Sequence, residues 1–257
     1  MLRQRMASPG ANANLAPRID HHCDVETLAR DFREFGRVQI PNFLVPGDAE
    51  SIHDCLTTQS GWSMVFNLQG KHHDTDASAL DSWTEKDRRK LLDLIHQKAA
   101  AEFQYFYETL PIYDIYHRSL MQGHYVNTVF EFLNGDEFLT LMQRVTQDKQ
   151  IAFADAQATR YGPGHFLTRH DDNVDGKCRR VAYVLNLSRN WSADWGGILQ
   201  FFNANGNVDC GYSPSFNTLN LMRVPTEHSV SIVAPFATES RISITGWLRS
   251  GDDPMAA

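Results

Sequence analysis

The sequence is short of the features that mark several large protein classes. Its 257 residues include only four cysteines and no CxxC pair. The wide spacing of Cys23, Cys55, Cys178 and Cys210 argues against a zinc knuckle or a disulfide scaffold, and indicates free thiols in a reducing compartment. The chain also has no apolar run long enough to span a bilayer, so we expect no membrane partner.

Positive charge is scarce as well. There are 24 Lys and Arg against 31 Asp and Glu, which gives a formal net charge of -7. This balance makes nucleic acid or an anionic membrane a poor partner and favours a basic peptide or protein. The N-terminal stretch, residues 1–18, is rich in Ala, Asn and Pro and lacks an apolar signal core. We therefore predict a disordered leader and a cytoplasmic location.

Two apolar patterns divide the rest of the chain. In the first part, apolar residues recur three or four apart, which predicts helices at 24–35, after Pro46, at 85–110 and at 136–145. Beyond Ile151, two-residue alternation predicts strands at 153–161, 180–187, 198–203, 218–224, 229–234 and 241–248. Helices followed by many strands predict an α+β protein. We expect one domain over residues 19–257, in which a strand sandwich or barrel at about 151–249 is buttressed by N-terminal helices.

Three histidines are each followed two residues later by aspartate: His22/Asp24, His72/Asp74 and His170/Asp172. Such pairs arise by chance at this composition, so the surrounding sequence has to indicate which of them is a candidate for metal binding. The first pair lies beside the leader and the second in the polar stretch KHHDTD, which we expect to be a loop. The third follows a strand and a Pro-Gly turn. In an extended segment residues two apart point the same way, so His170 and Asp172 can both face a barrel interior.

A third ligand is needed to make a metal site. Taken alone, His228 fits a structural histidine, but it starts a predicted strand that a rigid scaffold can bring beside the His170/Asp172 pair. Two imidazoles and one carboxylate are the facial ligand set of non-haem iron(II) oxygenases. We therefore predict that His170, Asp172 and His228 bind iron(II).

The last predicted strand carries a polar face. Within SRISITGWL, Arg241 shares one face with Ser243, Thr245 and Trp247. An inward arginine and serine are costly unless an acidic group pairs with them, which predicts a carboxylate-bearing co-substrate. Tyr161 alternates into the strand before the metal turn and can donate a phenolic hydrogen bond to the same ligand. The alternatives are a polar face in water for the arginine strand and a core position for Tyr161.

The segment RYGPGHFLTRHDDNVDGKCRRVAYVLNLSRNWSADWGGILQFF, residues 160–202, resembles the catalytic core of 2-oxoglutarate- and iron(II)-dependent prolyl hydroxylases, in the branch with the hypoxia-sensing and ribosomal-protein enzymes. The shared pieces are Tyr-x-Pro-Gly, His-Asp-Asp, Leu-Asn-Leu, Asn190-Trp191, Gly196-Gly197, His228 and the ending Arg-x-Ser-x-x-Gly-Trp. With the similar opening REFGRVQIPNFL, the resemblance covers about residues 30–249. It departs at Val184, where hypoxia-sensing members have a tyrosine that holds the co-substrate; Tyr183 is expected to point the other way.

The resemblance implies a double-stranded β-helix, a jelly-roll or cupin-like core. It implies that Arg241 binds 2-oxoglutarate with support from Ser243 and Tyr161, that O2 is the second co-substrate, and that ascorbate (vitamin C) serves as reductant. The implied reaction hydroxylates a prolyl residue of a peptide or protein while 2-oxoglutarate becomes succinate, and a basic or ribosomal target suits the net charge. Two alternatives stay open: a hydroxylase of a free amino acid or other small molecule, and a non-catalytic cupin-like metal-binding module.

Overall fold

The computed structural model describes residues 15–256 apart from residue 69. The helices of this described part are α1 Val25–Phe35, α2 Pro46–Thr58, α3 Glu85–Ala99, α4 Ile112–His117, α5 Tyr125–Leu133 and α6 Asp136–Thr146. Its strands are β1 Arg37–Ile40, β2 Ser63–Leu68, β3 Lys71–Asp76, β4 Tyr105–Leu110, β5 Phe153–Ala154, β6 Gln157–Tyr161, β7 Phe166–His170, β8 Arg179–Asn186, β9 Leu199–Phe202, β10 Val208–Tyr212, β11 Thr218–Arg223, β12 His228–Val230 and β13 Arg241–Arg249. None of these helices is long and apolar enough to cross a membrane.

The helix ends follow from local chemistry. Asp24 caps α1, because its carboxylate accepts hydrogen bonds from the backbone N–H groups of the first turn, and Gly36 ends that helix in the left-handed conformation. Val45 stands at the N-cap of α2, and Asp48 in the first turn of that helix accepts hydrogen bonds from Arg18. Residues 1–14 of the predicted leader lie outside the described residues.

The predicted helix at 85–110 is wrong beyond residue 99. α3 ends at Ala99, and residues 105–110 form β4, which pairs with β2, β6 and β7. Apolar side chains at 103, 106 and 110 fit a helical spacing, but the same stretch also alternates with a period of two. The local pattern therefore fits either element, and the strand edges that β4 satisfies decide between them.

The strands form one curled antiparallel sheet in the order β1-β11-β8-β13-β6-β4-β7-β12-β9-β10. Four of them, β6, β13, β8 and β11, make one layer, and β7, β12, β9 and β10 make the other. β4 joins the two layers because it pairs with both β6 and β7. Side chains of both layers line a single cavity. This is the double-stranded β-helix, and the predicted fold class is confirmed.

The two faces of β13 show how the core is divided. Ile242, Ile244 and Leu248 are buried in the large apolar cluster that the layer forms with the helices. Burial of each such side chain stabilises the fold by about 1.5–3 kcal/mol. The alternate residues of the strand, Arg241 and Ser243 among them, face the cavity between the layers, as the alternation predicts.

Candidate functional site

Strand pairing brings together two histidines that are far apart in the sequence. β7 and β12 run antiparallel, and their register sets His170 directly opposite His228. Side chains at such positions have Cβ atoms about 4.5–5.5 Å apart. The two imidazole rings accordingly lie with centroids 4.1 Å apart. The pairing of β7 with β12 thus places His170 and His228 side by side, as the sequence suggested.

Asp172 joins this pair by a route that differs from the prediction. It is not in an extended segment: its φ of 64° is left-handed, a conformation that aspartate tolerates better than most residues. The turn directs one carboxylate oxygen to 3.4 Å from Nε2 of His170 and the other to 3.3 Å from Nε2 of His228. The ligand atoms of the three residues all lie within 4.8 Å of one another, and among the described residues this is the only such group of His, Cys, Asp and Glu.

Backbone carbonyl groups orient both imidazoles. Nδ1 of His170 lies 2.9 Å from the carbonyl oxygen of Thr168, and Nδ1 of His228 lies 2.7 Å from that of Thr226. A carbonyl only accepts hydrogen bonds, so each Nδ1 carries the proton. Each Nε2 therefore keeps its lone pair and points at the carboxylate of Asp172. This is the arrangement by which proteins prepare histidines to bind metal.

Burial and mutual charge set the protonation of the cluster. Burial, then repulsion by His170, lowers the pKa of His228, which keeps that imidazole neutral. Burial alone would raise the pKa of Asp172, but when either histidine carries a second proton, the hydrogen bond from His170 and the positive charge of the imidazoles hold that pKa below its ordinary value. Neutral imidazoles beside an ionised carboxylate are the forms that coordinate a divalent cation.

A buried arginine, Arg241, lines the cavity. Part of its guanidinium group has no hydrogen-bond partner among the described residues. Arg241 is 2% exposed and its Nε has no hydrogen-bond partner, while its guanidinium carbon lies 5.1 Å from the centre of the Tyr161 ring. Burial lowers the pKa of Arg241. A buried cation without an anionic partner is costly, so the site fits an acidic ligand.

Gly197 makes room for this arginine. A Cβ at Gly197 would lie 3.2 Å from Cδ of Arg241 and 3.2 Å from Cζ2 of Trp191, and the residue has a φ of 63° that disfavours other side chains. The Gly-Gly pair of the sequence therefore has a packing role at the wall of the site.

The other two predicted co-substrate residues lie beside Arg241. The register of β13 with β6 sets Arg241 opposite Tyr161 and Ser243 opposite Thr159. The hydroxyl oxygens of Ser243 and Thr159 are 2.8 Å apart, and both residues line the cavity. Burial raises the pKa of Tyr161 well above its ordinary value, so its phenol stays protonated and able to donate.

The cavity holds all six predicted site residues and has a volume of about 980 Å³. Val184 lines it, whereas Tyr183 faces the large core and donates a hydrogen bond to the carbonyl oxygen of Asp155 over 2.8 Å. The orientation expected for these two neighbours is confirmed. The smaller side chain of Val184 leaves space where hypoxia-sensing enzymes place a tyrosine.

Several cavity residues were missed by the sequence reasoning. Phe103, Tyr105 and Tyr107 were expected on the helix at 85–110, yet they lie beyond the end of α3 and line the cavity. The alternation of aromatic side chains at 103, 105 and 107 was the signal that would have revealed them. His72 was expected in a polar loop, but it lies on β3 at the cavity and its Nδ1 is 2.7 Å from the hydroxyl of Tyr105.

Arg179 was also overlooked. Its guanidinium lies 3.4 Å above the centre of the Trp247 ring and donates to the carbonyl oxygen of Asp172 over 3.1 Å. It therefore ties the turn that carries Asp172 to β13, the strand that carries Arg241. Flat stacking together with directed N–H groups is a combination that lysine cannot reproduce.

Comparison with known proteins identifies this arrangement. Residues 156–249, which include the histidine–aspartate cluster and Arg241, match the family model described as the 2OG-Fe(II) oxygenase superfamily. These residues are therefore similar to a 2OG-Fe(II) oxygenase domain. The matched residues cover β6 to β13, the eight strands that form both layers of the double-stranded β-helix. The family implies Fe(II), 2-oxoglutarate and O2 as cofactor and co-substrates.

Curated proteins similar to part of this chain include prolyl 3-hydroxylase OGFOD1 from Mus musculus, 33% identical over 119 residues, and its counterpart from Xenopus laevis, 29% identical over 119 residues. Each match covers 44% of this chain. It covers 21% of the mouse protein and 23% of the frog protein, so the shared segment is about a fifth of the length of these relatives.

Solved structures show the same fold over most of the chain. A prolyl-4-hydroxylase from Pseudomonas putida superposes with a TM-score of 0.55 at 19% identity, covering 93% of this chain and 98% of its own. A prolyl hydroxylase from Trichoplax adhaerens, in complex with a peptide fragment of the hypoxia-inducible factor oxygen degradation domain, gives 0.58 at 16% identity and covers 88% and 89%. At these low sequence identities, the superpositions show a shared fold and nothing about shared activity.

Proposed function

We propose that the protein is a 2-oxoglutarate- and Fe(II)-dependent dioxygenase that hydroxylates a prolyl residue of a peptide or protein. The observation that carries the proposal is the convergence of His170, Asp172 and His228 in the same cavity as the unpaired guanidinium of Arg241. The donor set is that of non-haem iron(II) oxygenases. The unpartnered Nε of Arg241 can donate a hydrogen bond to the acidic co-substrate that such enzymes need.

Each residue has a task in this reaction. His170, Asp172 and His228 would hold Fe(II) through two imidazole nitrogens and a carboxylate. Arg241 binds the distal carboxylate of 2-oxoglutarate, and Ser243 and the protonated phenol of Tyr161 donate hydrogen bonds to the same molecule. The bound metal supplies the oxidative chemistry, in which 2-oxoglutarate becomes succinate and carbon dioxide and one oxygen atom enters a C–H bond. The apolar wall of the cavity, with Val184 and Leu199, excludes water from that chemistry.

The size and lining of the cavity support a substrate larger than a free amino acid. A volume of about 980 Å³ exceeds what a small dicarboxylic acid fills, and the lining includes Phe103 and Tyr105, the first of which is 43% exposed. Aromatic surfaces of this kind bind proline-containing segments. The names of the curated relatives agree with a prolyl target. The net charge of -7 supports a basic target, such as a ribosomal protein.

Three further expectations belong to this proposal. Ascorbate maintains the metal in the ferrous state, and the protein acts in the cytoplasm, in keeping with its unpaired cysteines. We also expect residues 19–257 to form one domain, and the presence of both Ile19 and Leu248 in a single apolar cluster supports this expectation.

Turnover with defined peptides tests the proposal. The protein is incubated with Fe(II), 2-oxoglutarate, O2 and a panel of basic proline-containing peptides, each paired with a peptide that has alanine in place of proline. We expect succinate to form and one oxygen atom to be added to proline, as located by tandem mass spectrometry. Turnover only with free amino acids or other small molecules would refute the prolyl assignment. Metal binding without any consumption of 2-oxoglutarate would favour a non-catalytic module.

A further inference from the structure

An unbroken row of aromatic side chains leads from the co-substrate end of the cavity to its entrance. The guanidinium of Arg241 lies over the ring of Tyr161, which stacks on Tyr107 with centroids 4.8 Å apart and planes at 15°. Tyr107 contacts Tyr105 at 5.9 Å, and Tyr105 stacks on His72 at 5.9 Å. These separations are those of rings in van der Waals contact. Three tyrosines therefore form a continuous π-contact path, which we call the tyrosine row.

A second contact path reaches the same tyrosine from the metal cluster. The ring of Phe103 lies 5.5 Å from that of His170 and 5.6 Å from that of Tyr105. Tyr105 is thus the point at which the rings next to His170 and the rings next to Arg241 meet. It is also the member of the row that contacts the exposed residue His72, whereas Tyr161 at the other end is buried.

The three phenols differ in where a proton can go. Burial raises the pKa of Tyr161 and of Tyr107, so neither readily releases its proton to the surroundings. The hydroxyl of Tyr105, in contrast, is 2.7 Å from Nδ1 of His72, an exposed imidazole that can take up a proton. A phenol loses its proton when it is oxidised by one electron. Tyr105 is therefore the tyrosine of the row that can be oxidised to a phenoxyl radical, because His72 can accept its proton.

We propose that the tyrosine row conducts electrons to the metal site when the oxidising equivalent that the site draws from O2 and 2-oxoglutarate is not used on substrate. We also propose that Tyr105 and His72 form the place where a small enediol reductant such as ascorbate replaces those electrons. In the outward step, one electron passes from Tyr105 through Tyr107 and Tyr161 to the site, and the phenolic proton moves to Nδ1 of His72. In the return step, the reductant gives one electron to the Tyr105 phenoxyl radical and His72 returns the proton. The net result is one electron moved from the reductant to the site.

This inference rests on the proposed oxygenase function, and it explains why a buried phenol stack belongs in an oxidising site. Tyrosines placed only to bind substrate need neither ring-to-ring continuity nor a base on the outermost phenol. The row combines both, and it connects the interior to the one end that a soluble reductant can reach.

The test uses the full chain loaded with Fe(II) and 2-oxoglutarate and exposed to O2 without any peptide substrate. Samples frozen during turnover are examined by electron paramagnetic resonance, and the number of turnovers before inactivation is measured with and without ascorbate. The variants are Tyr105→Phe and His72→Phe, which remove the oxidisable phenol and its base. Tyr116→Phe is the matched control, because Tyr116 packs on Phe130 beside α5 and does not line the cavity.

We expect a tyrosyl radical in the unaltered protein and in Tyr116→Phe, and none in Tyr105→Phe. Both Tyr105→Phe and His72→Phe should inactivate severalfold sooner and lose the protection that ascorbate gives. A melting curve establishes that each variant is folded. If 2-oxoglutarate is consumed but no tyrosyl radical forms, or if Tyr105→Phe inactivates no faster than Tyr116→Phe, the electron path is wrong while the oxygenase function stands. A protein that never consumes 2-oxoglutarate would instead refute the function itself.

Discussion

Replacement of Arg241 by methionine should have two effects of opposite sign. In the unliganded protein Arg241 is 2% exposed and its Nε has no hydrogen-bond partner among the described residues, so the fold carries an uncompensated cost of desolvation. Methionine fills a similar volume without a charge. We therefore expect Arg241→Met to raise the free energy of unfolding of the unliganded protein, although it removes a residue of the proposed active site.

The same substitution should weaken 2-oxoglutarate binding. A hydrogen bond to a charged group contributes about 1.5–3 kcal/mol. Since about 1.4 kcal/mol corresponds to a factor of ten, the dissociation constant should rise about tenfold to a hundredfold. At a ligand concentration of about 100 times the original dissociation constant, 2-oxoglutarate should stabilise the unaltered protein by about 2.7 kcal/mol and Arg241→Met by only about 0.4–1.4 kcal/mol.

Thermal unfolding with Mn(II) in place of Fe(II), with and without 2-oxoglutarate, measures both effects. Arg30→Met is the control, since Arg30 is exposed on α1 and should change neither quantity. Without 2-oxoglutarate, Arg241→Met should have a higher melting temperature than the unaltered protein. When 2-oxoglutarate is added, the melting temperature of the variant should rise by less. A variant that is less stable without ligand and gains as much from 2-oxoglutarate as the unaltered protein would refute the role of Arg241.

Three further predictions concern the metal, the cavity wall and pH. Asp172→Ala should abolish Co(II) binding measured by visible absorption, whereas His72→Ala should retain it; equal loss in both would show that the wrong pair was assigned. Gly197→Ala should weaken 2-oxoglutarate binding with metal affinity kept, because its Cβ would lie 3.2 Å from Cδ of Arg241; calorimetric titrations that show no change would contradict this packing role. Burial raises the pKa of Asp155 from 3.8 to about 6, so the folded state binds the proton more tightly and the free energy of unfolding should fall as pH rises from about 4 to about 7. A shift of two pKa units corresponds to about 3 kcal/mol as an upper limit, and Asp155→Asn should remove that slope in urea unfolding curves; a slope that persists in this variant would exclude Asp155 as its source.

The sequence predicted most accurately what depends on local periodicity. Alternation in β13 correctly separated Arg241 and Ser243 from Ile242 and Ile244, because each set faces a different environment. The helix α1 was likewise predicted from the spacing of its apolar residues. These features need only the neighbouring residues for their explanation.

The rest depends on contacts between distant segments. The stretch around Tyr105 and Tyr107 fits a helix and a strand equally well, and it is a strand because it bridges β6 and β7. The left-handed conformation of Asp172 comes from the turn after β7, so spacing alone gave the right residue with the wrong backbone geometry. The opposition of His170 and His228 follows from the register of two paired strands, which no local pattern encodes.

The central claim is that His170, Asp172 and His228 bind a single ferrous ion beside a bound dicarboxylic acid. Anomalous diffraction at the iron absorption edge, from crystals prepared without oxygen in the presence of Fe(II) and 2-oxoglutarate, tests it directly. The account predicts one anomalous peak within bonding distance of both Nε2 atoms and the Asp172 carboxylate, with the distal carboxylate of 2-oxoglutarate on Arg241. A peak elsewhere, for instance at His72, or a co-substrate that does not contact Arg241, would contradict it.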